Sequence, residues 1–289
     1  MKDVTFGQYY PAESVIHRLD ARAKIIFSLL YMIGIFFVAS YTMYLAVFIF
    51  LVSVVALAKI PLKLLFKSVK AILFILFFTA IINVLFYKQG NVLVEWWIIR
   101  ITDEGINFAI KMMLRLSLLV MGTSLLTFTT TPTALTDAIE SLLKPLTYIK
   151  VPVHDLAIIM SIALRFIPGL IEETDKIMMA QKARGANLDT GNFVQKIKAM
   201  LPVLIPLFVS AFRRADELAD ALDSRCYNAS PNRTKMKVLK YEWRDLVALI
   251  IVVALFVAIL LDKYLIGGEG IFVGIDRLIA QLISGMVGR

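Results

Sequence analysis

Polar and apolar positions fall along this chain in long blocks. From Ile25 to Ala58 there is no charged residue. A helix rises about 1.5 Å per residue, so a hydrocarbon layer of about 30 Å takes roughly 20 residues. The block is too long for one ordinary span. Its most polar stretch is Ser40-Tyr41-Thr42, which predicts two short spans, Ile25–Ala39 and Met43–Ala58, tightly joined. Ala71–Tyr87 is a third apolar segment. Ile106–Phe128 is a fourth, interrupted by Lys111 and Arg115. Leu246–Leu261 is the last, flanked by Asp245 and Asp262. The pattern thus predicts about five membrane-spanning helices, the short ones needing small tilt or local thinning of the bilayer. Met1–Leu19 is polar and mixed, without the apolar run of a signal peptide.

Between the fourth and fifth spans the pattern changes. Thr131-Pro132 makes an N-cap and first-turn pair. Leu135, Ile139, Leu142, Leu143 and Leu146 then line one face, as in a short helix lying on a membrane surface. Pro145 and Pro152 break the chain. Two long helices are predicted next, His154–Arg184 and Asn192–Arg225, with kinks expected at Pro168, Pro202 and Pro206. Each would run about 45–50 Å, and each passes from an apolar half to a charged tip. The tips repeat: Asp175, Ala180, Arg184 and Asn187 recur at one constant offset as Asp216, Ala221, Arg225 and Asn228.

Composition agrees with a membrane protein. Of 289 residues, 59% are hydrophobic and only 18% charged, against about 25% charged in soluble domains. Mean hydropathy is +0.78. The formal charge of +9 points to anionic head groups or acidic partners before nucleic acid. Lys2, Arg18, Arg22 and Lys24 precede the first span, and Lys59, Lys63, Lys67 and Lys70 fill the loop after the second. The positive-inside rule then places the N-terminus and the 129–240 segment in the cytoplasm and the C-terminus outside, in a cell membrane. Arg115 with Lys111 reads as a pair snorkelling at the outer boundary; the competing reading buries Arg115 against a neighbour such as Asn83. Three regions follow: 1–128 with four spans, 129–240 as a coupling region, and 241–289 with the last span and an outer tail.

Cys226 is the single cysteine, and His17 and His154 stand far apart. No metal site, cofactor or catalytic residue is expected. There is no G-x-x-x-x-G-K-[ST] loop to cradle ATP phosphates.

Ala183-Arg184-Gly185 and Ser224-Arg225-Cys226, each closing a long helix after several spans, resemble the paired arginine motifs of the transmembrane T component of energy-coupling factor transporters. Leu164-Arg165-Phe166-Ile167-Pro168, the run Gln181–Ala186 and the opening Leu19-Asp20-Ala21-Arg22 are also similar to that family. The first tip has the family's usual small neighbours; the second, Ser-Arg-Cys, is a variant. The resemblance implies a non-catalytic scaffold. Two cytoplasmic ATPases, identical or different, would take one arginine tip each, and a membrane-embedded S component would bind a vitamin or other micronutrient. Read from the residues alone, Asp175 and Asp216 either brace the tips or are solvated face charges. The alternatives are a conventional ABC permease, which needs polar groups or broken helices at the midplane, and an integral membrane enzyme. For the latter, Glu172-Glu173 with Asp175 is the one acidic cluster of interest.

Overall fold

The computed structural model describes residues 9–87, 92–96, 99–186, 193–227 and 241–265. Among them the fold is helical, with one short β-hairpin added. The order is α1 (Ala21–Phe37), α2 (Tyr41–Ala58), α3 (Leu62–Phe86), β1 (Val92–Trp96), β2 (Ile99–Thr102), α4 (Asp103–Thr129), α5 (Pro132–Leu143), a 3-10 turn (Lys144–Ile149), α6 (Val153–Ala183), α7 (Phe193–Ser224) and α8 (Trp243–Leu265). Two compact units emerge. One carries α1–α4, the hairpin and α8; the other carries α6 and α7. The division falls inside α5, between Ala138 and Ile139.

In the first unit the helix ends are where the polar residues put them. Asp20 caps α1, its carboxylate accepting from the Arg22 amide at 2.8 Å. The chain turns at Val38–Ser40, and α2 begins at Tyr41. At the far end of α2, Lys59 takes a left-handed conformation (φ 55°) and closes the helix with backbone bonds to Ala56 and Val55. The strands pair antiparallel, Trp96 opposite Ile99 and Glu95 opposite Arg100. β2 runs directly into α4, where the Thr102 hydroxyl accepts from the Gly105 amide at 3.2 Å. Asp103 and Glu104 sit in the first turn of α4, favourably placed on its dipole.

The core of this unit is built from Ile35, Val38, Met43, Tyr44, Val47, Leu51, Leu118 and Ile259, so α1, α2, α4 and α8 all contribute. Gly122 lets α4 approach α1: a Cβ there would lie 2.0 Å from the Tyr31 ring. The Tyr31 hydroxyl in turn donates to the Leu118 carbonyl at 2.8 Å. The outside of the unit is as greasy as the inside. In α3 only Leu65 and Leu76 are buried, while Leu73, Phe74, Phe77, Phe78 and Phe86 all stand exposed. Water does not tolerate such a surface; a bilayer requires it. This is a multi-pass membrane protein.

Three expectations need correction. The first concerns Lys63, Lys67 and Lys70, which do not sit in a loop. The link after α2 is only Lys59–Pro61, and α3 starts nine residues earlier than its charge-free stretch. Lysines spaced four and three apart share one exposed face of a helix, where long side chains keep their amines in water. Hydropathy alone truncates such a helix. The second concerns Arg115, which does not snorkel. It turns inward and donates from Nη2 to the Val38 carbonyl at 3.0 Å, capping the end of α1. Asn83 bonds instead to Thr79 of its own helix. The third concerns α5, which stops at Leu143, so Leu146 of its apolar stripe belongs to the 3-10 turn.

Among the described residues five helices are long and apolar enough to cross a membrane: α2, α3, α4, α6 and α8. Four match the spans read from sequence. The fifth is α6, read as a coupling helix, because its first half is apolar. α1, read as a span, has 17 residues, about 25 Å of helix.

Candidate docking tips on the paired helices

The second unit is dominated by α6, of 31 residues, and α7, of 32. Both bounds agree with the sequence pattern to within a residue. Pro152 precedes α6, and the helix continues through Pro168; α7 continues through Pro202 and Pro206. The Glu140 carboxylate meets His154 Nδ1 at 2.9 Å, tying the end of α5 to the first turn of α6.

Three contacts set the register of the pair. Glu173 and Arg214 form an ion pair between the helices. Gly169 lies opposite the same arginine, where a Cβ would come within 3.1 Å of its Nη1. Gln181 Nε2 donates to the Pro202 carbonyl at 3.3 Å. As the α6 number rises the α7 number falls, so the two helices run antiparallel. Their C-terminal tips therefore point to opposite ends of the pair. Arg184 lies near the level of Met200, and from there to Arg225 is about 35–40 Å measured along α7.

The two tips share one backbone construction. At the first, Arg184 is the C-cap and Gly185 follows at φ 86°. The Gly185 amide bonds to Lys182 and the Ala186 amide to Gln181, both at 3.0 Å. At the second, Cys226 follows Arg225 at φ 53°. The Cys226 amide bonds to Asp223 at 2.9 Å and the Tyr227 amide to Leu222 at 3.0 Å. Each is a Schellman termination, in which a left-handed residue after the cap lets two amides satisfy the last carbonyls. Glycine takes that conformation freely, whereas an L residue is strained there. The Ala-Arg-Gly and Ser-Arg-Cys triplets are thus the same motif, and the second pays with strain at Cys226.

All six triplet residues, Ala183, Arg184, Gly185, Ser224, Arg225 and Cys226, are exposed. Both arginines cap a negative helix end and present five donors outward. Asp175 and Asp216 are exposed too, each about 13 Å back along its helix from the arginine nine residues on. The structure brings neither to its arginine. Asn187 and Asn228, the last members of the repeat, lie outside the described residues, as does 266–289 of the tail. Sequence reasoning missed the Glu173–Arg214 pair. Glu173 was visible only as part of an acidic cluster, and nothing local joins it to a residue 41 positions away.

The sequence matches the CbiQ family, described as cobalt transport protein, over residues 12–236. The energy-coupling factor transporter transmembrane protein EcfT of Ruminiclostridium cellulolyticum is 51% identical over 264 residues, which cover 91% of this chain and 98% of the relative. That of Thermosediminibacter oceani is 47% identical over 265 residues, covering 92% and 100%. That of Staphylococcus aureus is 45% identical over 258 residues, covering 89% and 96%. With the helical membrane bundle, the paired long helices and likeness across nearly the full length of these relatives, the chain belongs to the CbiQ family, among the transmembrane proteins of energy-coupling factor transporters.

Proposed function

We propose that this chain is the non-catalytic scaffold of such a transporter. It passes motion of two cytoplasmic ATPases to a membrane-embedded S component that carries a vitamin or other micronutrient inward. The observation that carries this reading is the doubled tip: two arginines, each the C-cap of an exposed Schellman end, at opposite ends of one antiparallel pair. Two like sites about 35–40 Å apart along a helix suit two like subunits better than one. Arg184 and Arg225 are the docking anchors, with Ala183, Gly185, Ser224 and Cys226 small enough to let a groove close around them. Asp175 and Asp216 lie one on each helix, available to the partner rather than to the arginines. The apolar flank of the pair, with Ile205, Phe208 and Phe212 exposed, is covered by lipid or by the S component. The N-terminus and the 129–240 region lie in the cytoplasm, on the strength of the basic residues.

The test is co-purification with substrate uptake. Truncating one partner of a buried charge pair costs about 2–5 kcal/mol. Arg184→Ala and Arg225→Ala should each impair uptake, and the double variant should lose ATPase subunits during purification while still inserting normally. Lysine should restore little, since a point charge does not reproduce the planar fork. A double alanine variant that assembles and transports like wild type would refute the docking assignment.

A further inference from the structure

We propose that Asp20, Lys24 and Asp245 form a clamp that pins both chain ends of the coupling segment to the first turn of α1. On the scaffold reading above, they are positioning residues for the coupling of ATP hydrolysis to transport.

The observation is a convergence. The chain leaves the membrane bundle at the end of α4 and returns to it at the start of α8. Asp20 and Lys24 are one helical turn apart. From that turn Lys24 Nζ donates to the Thr129 carbonyl, the last residue of α4, at 2.8 Å, and to the His17 carbonyl at 3.2 Å. The Asp20 amide donates to Asp245 Oδ1 at 2.9 Å. The other oxygen of Asp245 accepts from the Glu242 amide at 2.8 Å, so this carboxylate holds the first turn of α8 and the start of α1 together. Arg22 reinforces the same junction. It takes both oxygens of Asp20, at 3.1 and 2.9 Å, and lays its guanidinium over the Tyr241 ring at 4.1 Å. The Tyr10 amide adds a bond to the Phe128 carbonyl at 3.0 Å.

These groups are buried. Relative exposure is 8% at Asp20, 7% at Lys24, 5% at Thr129 and 5% at Asp245. Charges removed from water are costly unless paired and hydrogen-bonded. Well-packed apolar residues often serve stability as well as a buried ion network does. What the network adds is direction: a cation at the negative end of α4 and a carboxylate at the positive start of α8 each accept one geometry. A coupling segment tied at both ends to the same turn of α1 passes a push on its tips into the bundle. With either tie cut, the junction gives way and the motion is absorbed there. The opening Leu19-Asp20-Ala21-Arg22 thereby acquires a role that its sequence position did not reveal.

Two variants test the clamp. Lys24→Met removes the donor to Thr129, and Asp245→Asn keeps the shape but exchanges one of two acceptor oxygens for a donor. Each is made in the full chain and captured with its ATPases. Expected are complexes of normal composition with ATP hydrolysis within twofold of wild type and uptake per ATP reduced tenfold or more. Amide exchange of the full chain in lipid nanodiscs, without partners, should rise at least tenfold over 128–136 and 241–246, with the α2–α3 link unchanged as control. Uptake that falls only in proportion to hydrolysis, exchange that stays at the wild-type rate, or loss of assembly in both variants would overturn the proposal, the last because it marks a purely structural role. Since the exchange measurement uses no ATPase, its result stands apart from whether the arginine tips dock.

Discussion

The membrane bundle and the α6–α7 pair are both helical and both rich in apolar residues, yet they are built on opposite plans. The bundle closes on itself. Its core residues come from four helices, and two of its cationic side chains cap neighbouring helices, as Arg115 caps α1 and Lys24 caps α4. The pair does not close. Among the described residues of α6 and α7 only Val153, Ala157 and Val203 are buried hydrophobics, while Leu156, Ile159, Ile205, Phe208 and Phe212 stand open. Its ties among the described residues include one ion pair and one hydrogen bond to a carbonyl. One region therefore holds its own shape, and the other is shaped for company. On the scaffold role proposed above, motion would enter at the open pair and be resisted by the closed bundle.

The comparison breaks most sharply on paired truncations. Leu51, 3% exposed in the bundle core, should cost about 2–5 kcal/mol as alanine, through lost transfer energy and a residual cavity. Ile205, 62% exposed on α7, should change the melting of the isolated chain in detergent by less than about 0.5 kcal/mol while sharply lowering recovery of the assembled complex. Thermal unfolding of the chain alone, set beside co-purification, separates the two. Equal destabilisation at both sites would mean that the pair carries a core of its own.

Glycine substitutions sharpen the same contrast. Gly122→Ala places a Cβ 2.0 Å from the Tyr31 ring, between two packed helices. Overpacking of that kind costs about 1–3 kcal/mol and sometimes more. Gly169→Ala meets only the side-chain end of Arg214, at 3.1 Å, which needs to give by only a few tenths of an ångström, and should stay within about 0.5 kcal/mol. The relative yields of folded protein check this directly.

Effects smaller than those at Leu51 and Gly122 belong to the tips. Gly185 stands at φ 86° with nothing near its missing Cβ. Gly185→Ala therefore costs strain without a clash, about 1 kcal/mol. Cys226→Gly releases the strain of a left-handed cysteine but adds freedom to the unfolded chain, so its net gain should be below about 1 kcal/mol. Opposite signs at equivalent positions, read as amide exchange at the last turn of each helix, would show that the two tips are one motif.

Much of this was legible from residue order alone. Charge-free runs marked the apolar helices, and proline and cap residues placed the start of α5 and the ends of α6 and α7 nearly to the residue. The arginine repeat marked both tips. What was misread depended on neighbours. Lys63, Lys67 and Lys70 look like a loop to a hydropathy count and are a solvated helix face. Arg115 looks stranded until the carbonyl of Val38, which also accepts from the Tyr44 hydroxyl, is set beside it. The hairpin before α4 escaped notice because two short strands carry little periodic signal against long helices.

Residue type and spacing determine helix, membrane and tip, since each depends on groups a few positions apart: an apolar run long enough to span, a cap, a residue able to turn left-handed. The tertiary fold alone decided which charges meet. Glu173 finds Arg214, Lys24 finds the end of α4, and Asp245 finds the start of α1 across 225 positions. Such pairings follow from where packed helices bring their side chains and ends, and at Lys24 and Asp245 burial then makes the unpaired alternative too costly to populate.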